Sequence, residues 1–226
     1  MSHTAQNKRK LTDLSHSIYD GLITYKGFPA PIICDYLSRE QSQKVYGDDY
    51  QVQIGKIEMV TNTGTYLDSP FHFDAQGDDL ADLSLDMLAD LPAMLVDATD
   101  KIEVGVAFFN DVDVSGKAVL VKTNWSKHWN TDQYFENHPY LTQAAALLLV
   151  SRGAKLVGID SHNIDDTSGK LRPVHTHLLG NNVLICEHMT NLDQLPNSDI
   201  HFFAVPPKIT GVGTFPVRAF AQVIED

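Results

Sequence analysis

The chain has 226 residues, with 17 lysines and arginines against 29 aspartates and glutamates, which gives a formal net charge of −12. This acidic balance argues against nucleic acid or an anionic membrane as partner and leaves a small molecule as the expected ligand. The length predicts one domain with a substantial core.

Targeting and redox signals are absent from the sequence. The two cysteines stand far apart and form no CxxC pattern, so neither a disulfide framework nor a thiolate metal site is predicted. Residues 1–10 are polar and have no apolar signal-peptide core. We expect a disordered or extended tail over residues 1–10, a single domain over residues 11–226, and a cytoplasmic protein.

An aromatic loop and a strand precede the central motif of the chain. Residues 24–31 contain one glycine and two prolines, which forbid regular structure, and carry Tyr25 and Phe28. Such loops often wall a pocket, although surface cover is an equal alternative. Residues 52–60 alternate apolar and polar and predict a strand that leads into the motif.

The central motif, residues 59–73, packs polar and conformationally special residues together. Pro70 lies between Asp68 and His72 and disfavours a helix, so the segment is predicted to be extended. In an extended chain alternate side chains share a face, which would bring Tyr66, Asp68 and His72 together. The alternative is a strand end whose polar groups are caps and turn formers.

The middle of the chain predicts alternating buried strands and one strong helix. Residues 125–135 form an aromatic loop in which Trp125 is either a lid over the core or a wall of a substrate pocket. The helix is predicted over residues 138–153, which are rich in helix formers and end in glycine. Strands are predicted at residues 93–97, 118–122, 155–160 and 182–187.

Three polar residues of the C-terminal half are candidates for a site. His175 and His177 alternate in residues 173–179, so an extended chain would aim both at one face, although only one is needed. Glu187 ends an apolar strand, and a buried carboxylate there is costly unless it is paired or binds a metal. These residues complete a candidate site with Asp68 and His72.

Two imidazoles and two carboxylates form a set that suits zinc, manganese or iron. The sequence has no Gly-x-Ser-x-Gly elbow, no Walker loop, no dinucleotide-binding glycine pattern and no His-Glu-x-x-His pair. The competing interpretation is that the histidines are structural residues with satisfied hydrogen bonds.

The motif resembles that of the cyclase family of metal-dependent hydrolases, of the kynurenine formamidase and isatin hydrolase kind. The family pattern His-x-Gly-Thr-His-x-Asp-x-Pro-x-His-Phe stands here as Asn62-Thr-Gly-Thr-Tyr66-Leu-Asp68-Ser-Pro-Phe-His72-Phe. Further similarity lies at residues 13–16, 153–160, 173–175, 187–192 and 216–219. The resemblance implies a single α/β domain with a mixed, curved, barrel-like sheet and flanking helices, the swivelling β/β/α fold.

The resemblance also implies a site. Asp68, His175 and Glu187 match metal ligands of the family, and His72 matches the residue that acts as general acid and base. Asn62 and Tyr66 replace two motif histidines, and neither a neutral amide nor a phenol is a good ligand for a transition ion. We therefore expect either one divalent metal, zinc or manganese, held weakly by Asp68, His175 and Glu187, or no tightly bound metal.

The leading hypothesis is hydrolysis of a small amide, formamide, lactam or lactone by metal-activated water with His72 as acid and base. The expected substrate-binding residues are Tyr66, Asn62, Phe28, Tyr25, Trp125 and His177. The alternative is a cyclase or isomerase, or a small-molecule-binding protein, that has lost the two-metal centre. A purely structural domain leaves Glu187 unexplained. The resemblance further implies a homodimer or homotetramer.

Overall fold

A computed structural model describes residues 8–225, which fold into thirteen strands and three α-helices. The strands are β1 (Lys8–Asp13), β2 (Ile32–Leu37), β3 (Ile54–Glu58), β4 (Tyr66–Asp68), β5 (Leu91–Asp97), β6 (Glu103–Val104), β7 (Ala118–Lys122), β8 (Tyr140–Leu141), β9 (Leu156–Ile159), β10 (Leu184–Glu187), β11 (Ile200–Phe203), β12 (Thr214–Pro216) and β13 (Phe220–Glu225). The helices are α1 (Arg39–Tyr46), α2 (Gln143–Ser151) and α3 (Pro173–Leu179).

Nine strands form one curled, half-barrel sheet in the order β1-β13-β11-β5-β7-β9-β10-β4-β12. The four central strands, β5, β7, β9 and β10, run parallel, and the flanking strands pair antiparallel. This arrangement confirms the mixed, curved sheet of a single α/β domain with flanking helices.

Both faces of the central strands are buried, which is why their sequences are almost entirely apolar. In β7, Ala118 and Leu120 pack into one core cluster, whereas Val119 and Val121 pack into the other. The second cluster also contains the apolar side chains of α2 and α3. Those two helices therefore lie on the face of the sheet that also carries the candidate site.

A two-stranded arm projects from this body. Strands β2 and β3 pair only with each other, and α1 connects them. The arm exposes large apolar side chains, among them Ile32, Tyr36, Val45 and Ile57. The β3 side chains are all exposed, so the described residues leave an apolar surface here without a covering element.

Two ends of predicted elements differ from the structure. Strand β1 begins at Lys8, because residues 8–13 pair with β13, and the remainder of the predicted tail, residues 1–7, lies outside the described residues. Helix α2 begins at Gln143 rather than residue 138. The side chain of Thr142 caps it by accepting the Ala145 N–H, and β8 pairs with β6 just before.

A third difference concerns residues 173–179, which are helical rather than extended. Pro173 occupies the first turn, where its missing N–H costs nothing. The helix still places His175 beside Asp68 and Glu187. Within residues 8–225, none of the helices has the length and apolar character needed to cross a membrane.

Candidate active site

The site begins with the pairing of β4 and β10. In this register Tyr66 lies directly opposite Glu187, and Asp68 lies opposite Ile185. Because alternate residues of a strand share a face, Tyr66, Asp68 and Glu187 all project to the side of the sheet that α3 covers. One pairing thus brings together residues that are 119 to 121 positions apart.

Asp68 is a completely buried carboxylate with one oxygen unsatisfied. Its Oδ1 accepts a hydrogen bond from the hydroxyl of Thr214, which lies opposite Asp68 on β12, while Oδ2 has no hydrogen-bond partner. Burial raises the pKa of Asp68 to about 6, against the opposing effects of His175 and Thr214. A buried, ionised carboxylate is costly unless it is paired or binds a metal, so this oxygen favours a cation nearby.

His72 reaches the site by a route that differs from the extended chain predicted for its segment. The strand ends at Asp68, and residues 70–72 form a 3-10 helix with Pro70 in its first turn. This turn places the Nε2 atom of His72 3.9 Å from Oδ1 of Asp68. Burial, followed by the charge of His175, lowers the pKa of His72 to about 4.

Gly213 packs closely against the backbone of His72. A Cβ atom at position 213 would lie 2.5 Å from the His72 nitrogen, and Ser69 N–H donates to the Gly213 carbonyl at 2.7 Å. Only glycine permits this approach. The connection that contains Gly213 therefore packs against the chain that carries His72.

His175 is oriented by a buried carboxylate on the preceding loop. Its Nδ1 donates to Oδ2 of Asp165 at 2.7 Å, and the same carboxylate accepts the N–H groups of Val174 and His175. With the proton on Nδ1, the lone pair of Nε2 is free for a metal or a proton.

The electrostatic surroundings of His175 are acidic. Its Nε2 lies 3.8 Å from Oδ2 of Asp68 and 3.7 Å from Oε1 of Glu187. Burial alone lowers the pKa of His175, but the carboxylates of Glu187, Asp165 and Asp68 outweigh it and raise the pKa. The position around Nε2 therefore attracts positive charge.

Glu187 already has hydrogen-bond partners on both oxygens. Oε2 accepts the Tyr66 hydroxyl at 2.6 Å, and Oε1 accepts the Ile164 N–H at 2.6 Å. Burial raises the pKa of Glu187, against the opposing effect of His175. The carboxylate that seemed costly at the end of a buried strand is thus satisfied mainly by a phenol and a backbone amide.

Tyr66 belongs to a chain of hydrogen-bonded side chains. Its hydroxyl lies 2.7 Å from that of Tyr25, which lies 3.3 Å from Nε2 of His188, and Nδ1 of His188 lies 2.9 Å from the Tyr134 hydroxyl. Burial, followed by the charge of Glu187, raises the pKa of both Tyr25 and Tyr66 well above 10. The two phenols are therefore neutral hydrogen-bond donors rather than phenolate ligands.

Three residues form a group suited to a metal ion. Asp68, His72 and His175 each offer one ligand atom, and these atoms lie within 4.8 Å of one another. Ligands of one zinc ion stand roughly 3.3–3.6 Å apart, given bonds of ~2.0–2.2 Å, so the spacing needs only a small contraction. Together with the unsatisfied oxygen of Asp68, the donor set fits a divalent ion.

A cavity of about 330 Å³ opens at this group. Of the predicted wall residues, Tyr25, Phe28, Asn62 and Tyr66 line it. Trp125 and His177 do not. The indole of Trp125 donates to the Tyr134 carbonyl at 3.0 Å, and His177 lies two residues beyond His175 on α3, beside Gln143. The helical conformation of residues 173–179 is the reason, since residues two apart diverge on a helix.

The cavity also contains residues that sequence reasoning did not assign to it. These are Phe73, His162, Asn163, Thr167 and Arg172, with Asp165 behind His175. The sequence did indicate that the loop after β9 could contribute to a site, because polar residues follow the carboxyl end of this parallel strand. Phe73 is the last residue of the family pattern, and its ring stacks on that of His175 with the centroids 4.9 Å apart.

Curated proteins of known name are similar to this chain over most of its length. A kynurenine formamidase of Bacillus cytotoxicus is 29% identical over 214 residues, 93% of this chain and 96% of the relative. One from Geobacillus thermodenitrificans is 31% identical over 170 residues, 74% of this chain and 79% of the relative.

Solved structures share the fold. Isatin hydrolase A from Labrenzia aggregata has a TM-score of 0.81 at 21% identity, covering 96% of this chain and 94% of that one. A "predicted metal-dependent hydrolase" from Bacillus stearothermophilus has a TM-score of 0.77 at 25% identity, covering 95% and 98%. Residues 12–166 match the family model Cyclase, described as "Putative cyclase". The chain belongs to this Cyclase family.

Proposed function

We propose that this protein is a metal-dependent hydrolase that cleaves the C–N bond of a small amide or cyclic amide. The observation that carries the proposal is the convergence of Asp68, His72 and His175 at one end of a cavity with aromatic walls. Relatives named kynurenine formamidase, similar over more than nine-tenths of the chain, support the reaction class.

The proposed cofactor is one divalent ion, zinc or manganese. Asp68 and His175 would hold it, with Glu187 as the third ligand, because Oε1 of Glu187 and Oδ2 of Asp68 lie at similar distances from Nε2 of His175. Mixed nitrogen and oxygen donors suit either ion. When bound, such an ion lowers the pKa of a water molecule toward ~7 and polarises a carbonyl group.

His72 is the proposed general acid and base. With a pKa near 4 its imidazole is neutral at neutral pH, so Nε2 accepts a proton from water and returns it to the leaving nitrogen. The hydroxyl of Tyr66 holds Glu187 in place, and the aromatic rings of Phe28 and Phe73 exclude water and bind a flat substrate. Asn62 offers a neutral amide to the same cavity.

The test is the His72→Ala variant, with hydrolysis of formanilide followed by release of aniline. We expect the rate to fall about 10²–10⁴-fold while the protein keeps about one equivalent of metal. His201→Ala is the matched control, because His201 pairs with Asp90 outside the cavity. An unchanged rate would overturn the role of His72, and loss of the metal would make His72 a ligand instead.

A second candidate is a metal-free cyclase, isomerase or binding protein. The observation that favours it is the Tyr66–Glu187 hydrogen bond, which occupies an oxygen that a ligand would otherwise offer to an ion. Elemental analysis of protein purified without chelators separates the two candidates. Metal well below one equivalent, together with no stimulation by added zinc or manganese, would favour the second.

We also propose that the protein is a cytoplasmic homo-oligomer. Both cysteines are free thiols, and Cys34 is exposed, which suits a reducing compartment. The exposed apolar side chains of the β2–α1–β3 arm support self-association into a dimer or tetramer. Light scattering during gel filtration measures the mass directly, and a monomer at micromolar concentration would contradict the proposal.

A further inference from the structure

Two segments of the chain enclose the 3-10 turn that carries His72. On one side the Phe71 N–H donates to the carbonyl of Asp78 at 3.1 Å. On the other side the Ser69 N–H donates to the carbonyl of Gly213 at 2.7 Å. The position of the turn, and with it the position of the imidazole, therefore depends on both neighbouring segments.

The side chain of Asp79 connects these two segments. Its Oδ2 accepts the Gly211 N–H at 2.6 Å, and its Oδ1 accepts the N–H groups of Ala81 and Asp82 at 2.8 and 3.2 Å. Asp79 is buried, and a buried carboxylate is costly unless its oxygens are paired, so these donors define one orientation of the side chain. Asp79 thereby joins its own loop to the connection that contains Gly213.

This connection transmits its position to His72 over two residues. Gly211 begins it in an exposed, left-handed turn with a φ of 75°. The Leu80 N–H donates to the Val212 carbonyl at 3.0 Å and adds a backbone bond to the same pair of segments. A Cβ atom at Gly213 would lie 2.5 Å from the His72 nitrogen, so a displacement of Gly213 toward the turn moves the His72 backbone.

Strand β12 confines the influence of Asp79 to the turn. Residues 214–216 pair with β4, and Thr214 lies opposite Asp68 in this register. Asp68 therefore stays in place through strand pairing when the connection before Thr214 loosens. His72 lies beyond the end of β4, on the turn that Gly213 supports.

We propose that Asp79 is a positioning residue for His72 and acts from outside the cavity through Gly211 and Gly213. This inference rests on the proposed function, because it concerns how the acid and base of that reaction is held. Asp79 lies outside the cavity wall and takes no part in proton transfer. Its task is to fix Nε2 of His72 relative to the reacting atoms, where a misplacement of about 1 Å can lower the rate about 100-fold.

The test is the Asp79→Ala variant, with formanilide hydrolysis and metal content measured well below the unfolding temperature. We expect kcat to fall about 10–100-fold while KM and metal content stay near the wild-type values, because only the imidazole is displaced. In the His72→Ala background, Asp79→Ala should change kcat less than about twofold, because residues that act as one unit are not additive. Equal losses in both backgrounds would overturn the inference.

Asp113→Ala is the matched control. Asp113 accepts the N–H of Ser115, two residues ahead, just as Asp79 accepts that of Ala81. Its other oxygen binds Lys117 instead of a distant backbone segment, and these residues do not line the cavity. The control should leave kcat unchanged, and a loss equal to that of Asp79→Ala would contradict the proposed role.

Hydrogen exchange separates failure of this inference from failure of the proposed function. In Asp79→Ala the amides of Ser69 and Phe71 should exchange at least about tenfold faster, with the central strands unchanged. If formanilide is not hydrolysed but exchange changes in this way, Asp79 still holds the His72 turn and the hydrolase proposal falls.

The remaining outcomes decide against the inference. If hydrolysis occurs and kcat of Asp79→Ala equals that of wild type, the inference falls and the hydrolase proposal stands. Faster exchange throughout the chain would make Asp79 a general stabilising residue and overturn the inference. No hydrolysis together with unchanged exchange overturns both.

Discussion

Two groups of side chains flank Glu187, and they differ in whether their polar atoms have hydrogen-bond partners. The ligand wall, defined by the proposed ligands Asp68 and His175 and the proposed acid and base His72, has free atoms, including the unsatisfied Oδ2 of Asp68. The phenol wall, made of Tyr25, Tyr66, Tyr134 and His188, is connected by hydrogen bonds from one member to the next. The difference supports the proposed position of an ion between Asp68, His175 and Oε1 of Glu187, while the phenol wall holds Glu187 in place through Oε2.

The largest expected effect comes from Asp68→Asn, which removes the charge of the ligand wall. We expect loss of bound metal and loss of hydrolysis by more than about 10³-fold, since both depend on the ion. The metal-free variant should unfold at a temperature no lower than metal-free wild type, because a buried carboxylate without a full set of partners is destabilising.

Elemental analysis and calorimetry check this prediction. Asp97→Asn is its control, because Asp97 pairs with Lys122 at the surface end of β5. If Asp68→Asn kept the metal content of the wild type, the ion would not bind at Asp68, and the contrast between the ligand wall and the phenol wall would fail.

Asp165→Asn should have the next largest effect, because Asp165 orients His175 through its Nδ1 without itself being a proposed ligand of the ion. Loss of such an outer partner typically lowers metal affinity about 10–100-fold. Metal titration against a competing chelator measures this directly. The neighbouring Asp166→Asn, whose carboxylate binds only Ser168 among the described residues, should leave affinity unchanged. Equal affinities in the two variants would contradict the role of Asp165.

Tyr66→Phe tests the phenol wall and should affect stability more than metal binding. The change removes the donor from the buried Oε2 of Glu187, at a cost of about 1–3 kcal/mol. At roughly 2–4 °C per kcal/mol for a chain of this size, Tm should fall by several degrees.

Tyr140→Phe offers a matched comparison for Tyr66→Phe. Its hydroxyl also donates to a glutamate, Glu103, at 2.9 Å, but the pair is exposed and should contribute under about 1 kcal/mol. A gain of metal in Tyr66→Phe, with Tm unchanged, would indicate that the phenol had been blocking a ligand rather than supporting it.

The smallest expected effect is on the pH dependence of stability, through Asp97, which lies outside the site. Burial alone would raise the pKa of Asp97, but hydrogen bonds from Lys122 and Thr99 prevail and lower it to about 2. The stabilisation is therefore fully present above the ordinary value near 4 and is lost as pH falls through about 2. Because the carboxylate is half exposed, it amounts to less than about 1 kcal/mol.

Thermal unfolding of wild type and Asp97→Asn from pH 6 to pH 2 measures the stabilisation that the Asp97 carboxylate contributes. The difference in Tm should be small at pH 6 and should vanish near pH 2. A difference that grows on acidification would reverse the sign of the pKa shift.

Much of the fold could be predicted from local pattern. The apolar runs of β5, β7, β9 and β10 mark buried parallel strands, because such strands have no polar face. The bounds of α2 and the helical state of α3 were predicted less well. The start of α2 depended on the N-cap Thr142, a local signal that hydrophobic periodicity does not contain. The helical state of α3 depended on Asp165, which lies nine residues before the Val174 N–H that it accepts.

The residue types carried the chemistry of this chain: a carboxylate and an imidazole around Pro70, a second imidazole at position 175, and a glutamate at the end of a buried strand. Pairing and packing across the chain assigned their tasks. The register of β4 against β10 paired Glu187 with Tyr66, and a 3-10 turn placed His72 near Asp68. The helical conformation of α3 turned His177, two residues after His175, away from the cavity. Availability of a polar atom depends on which neighbours consume its hydrogen bonds, and those neighbours come together only when distant segments pack.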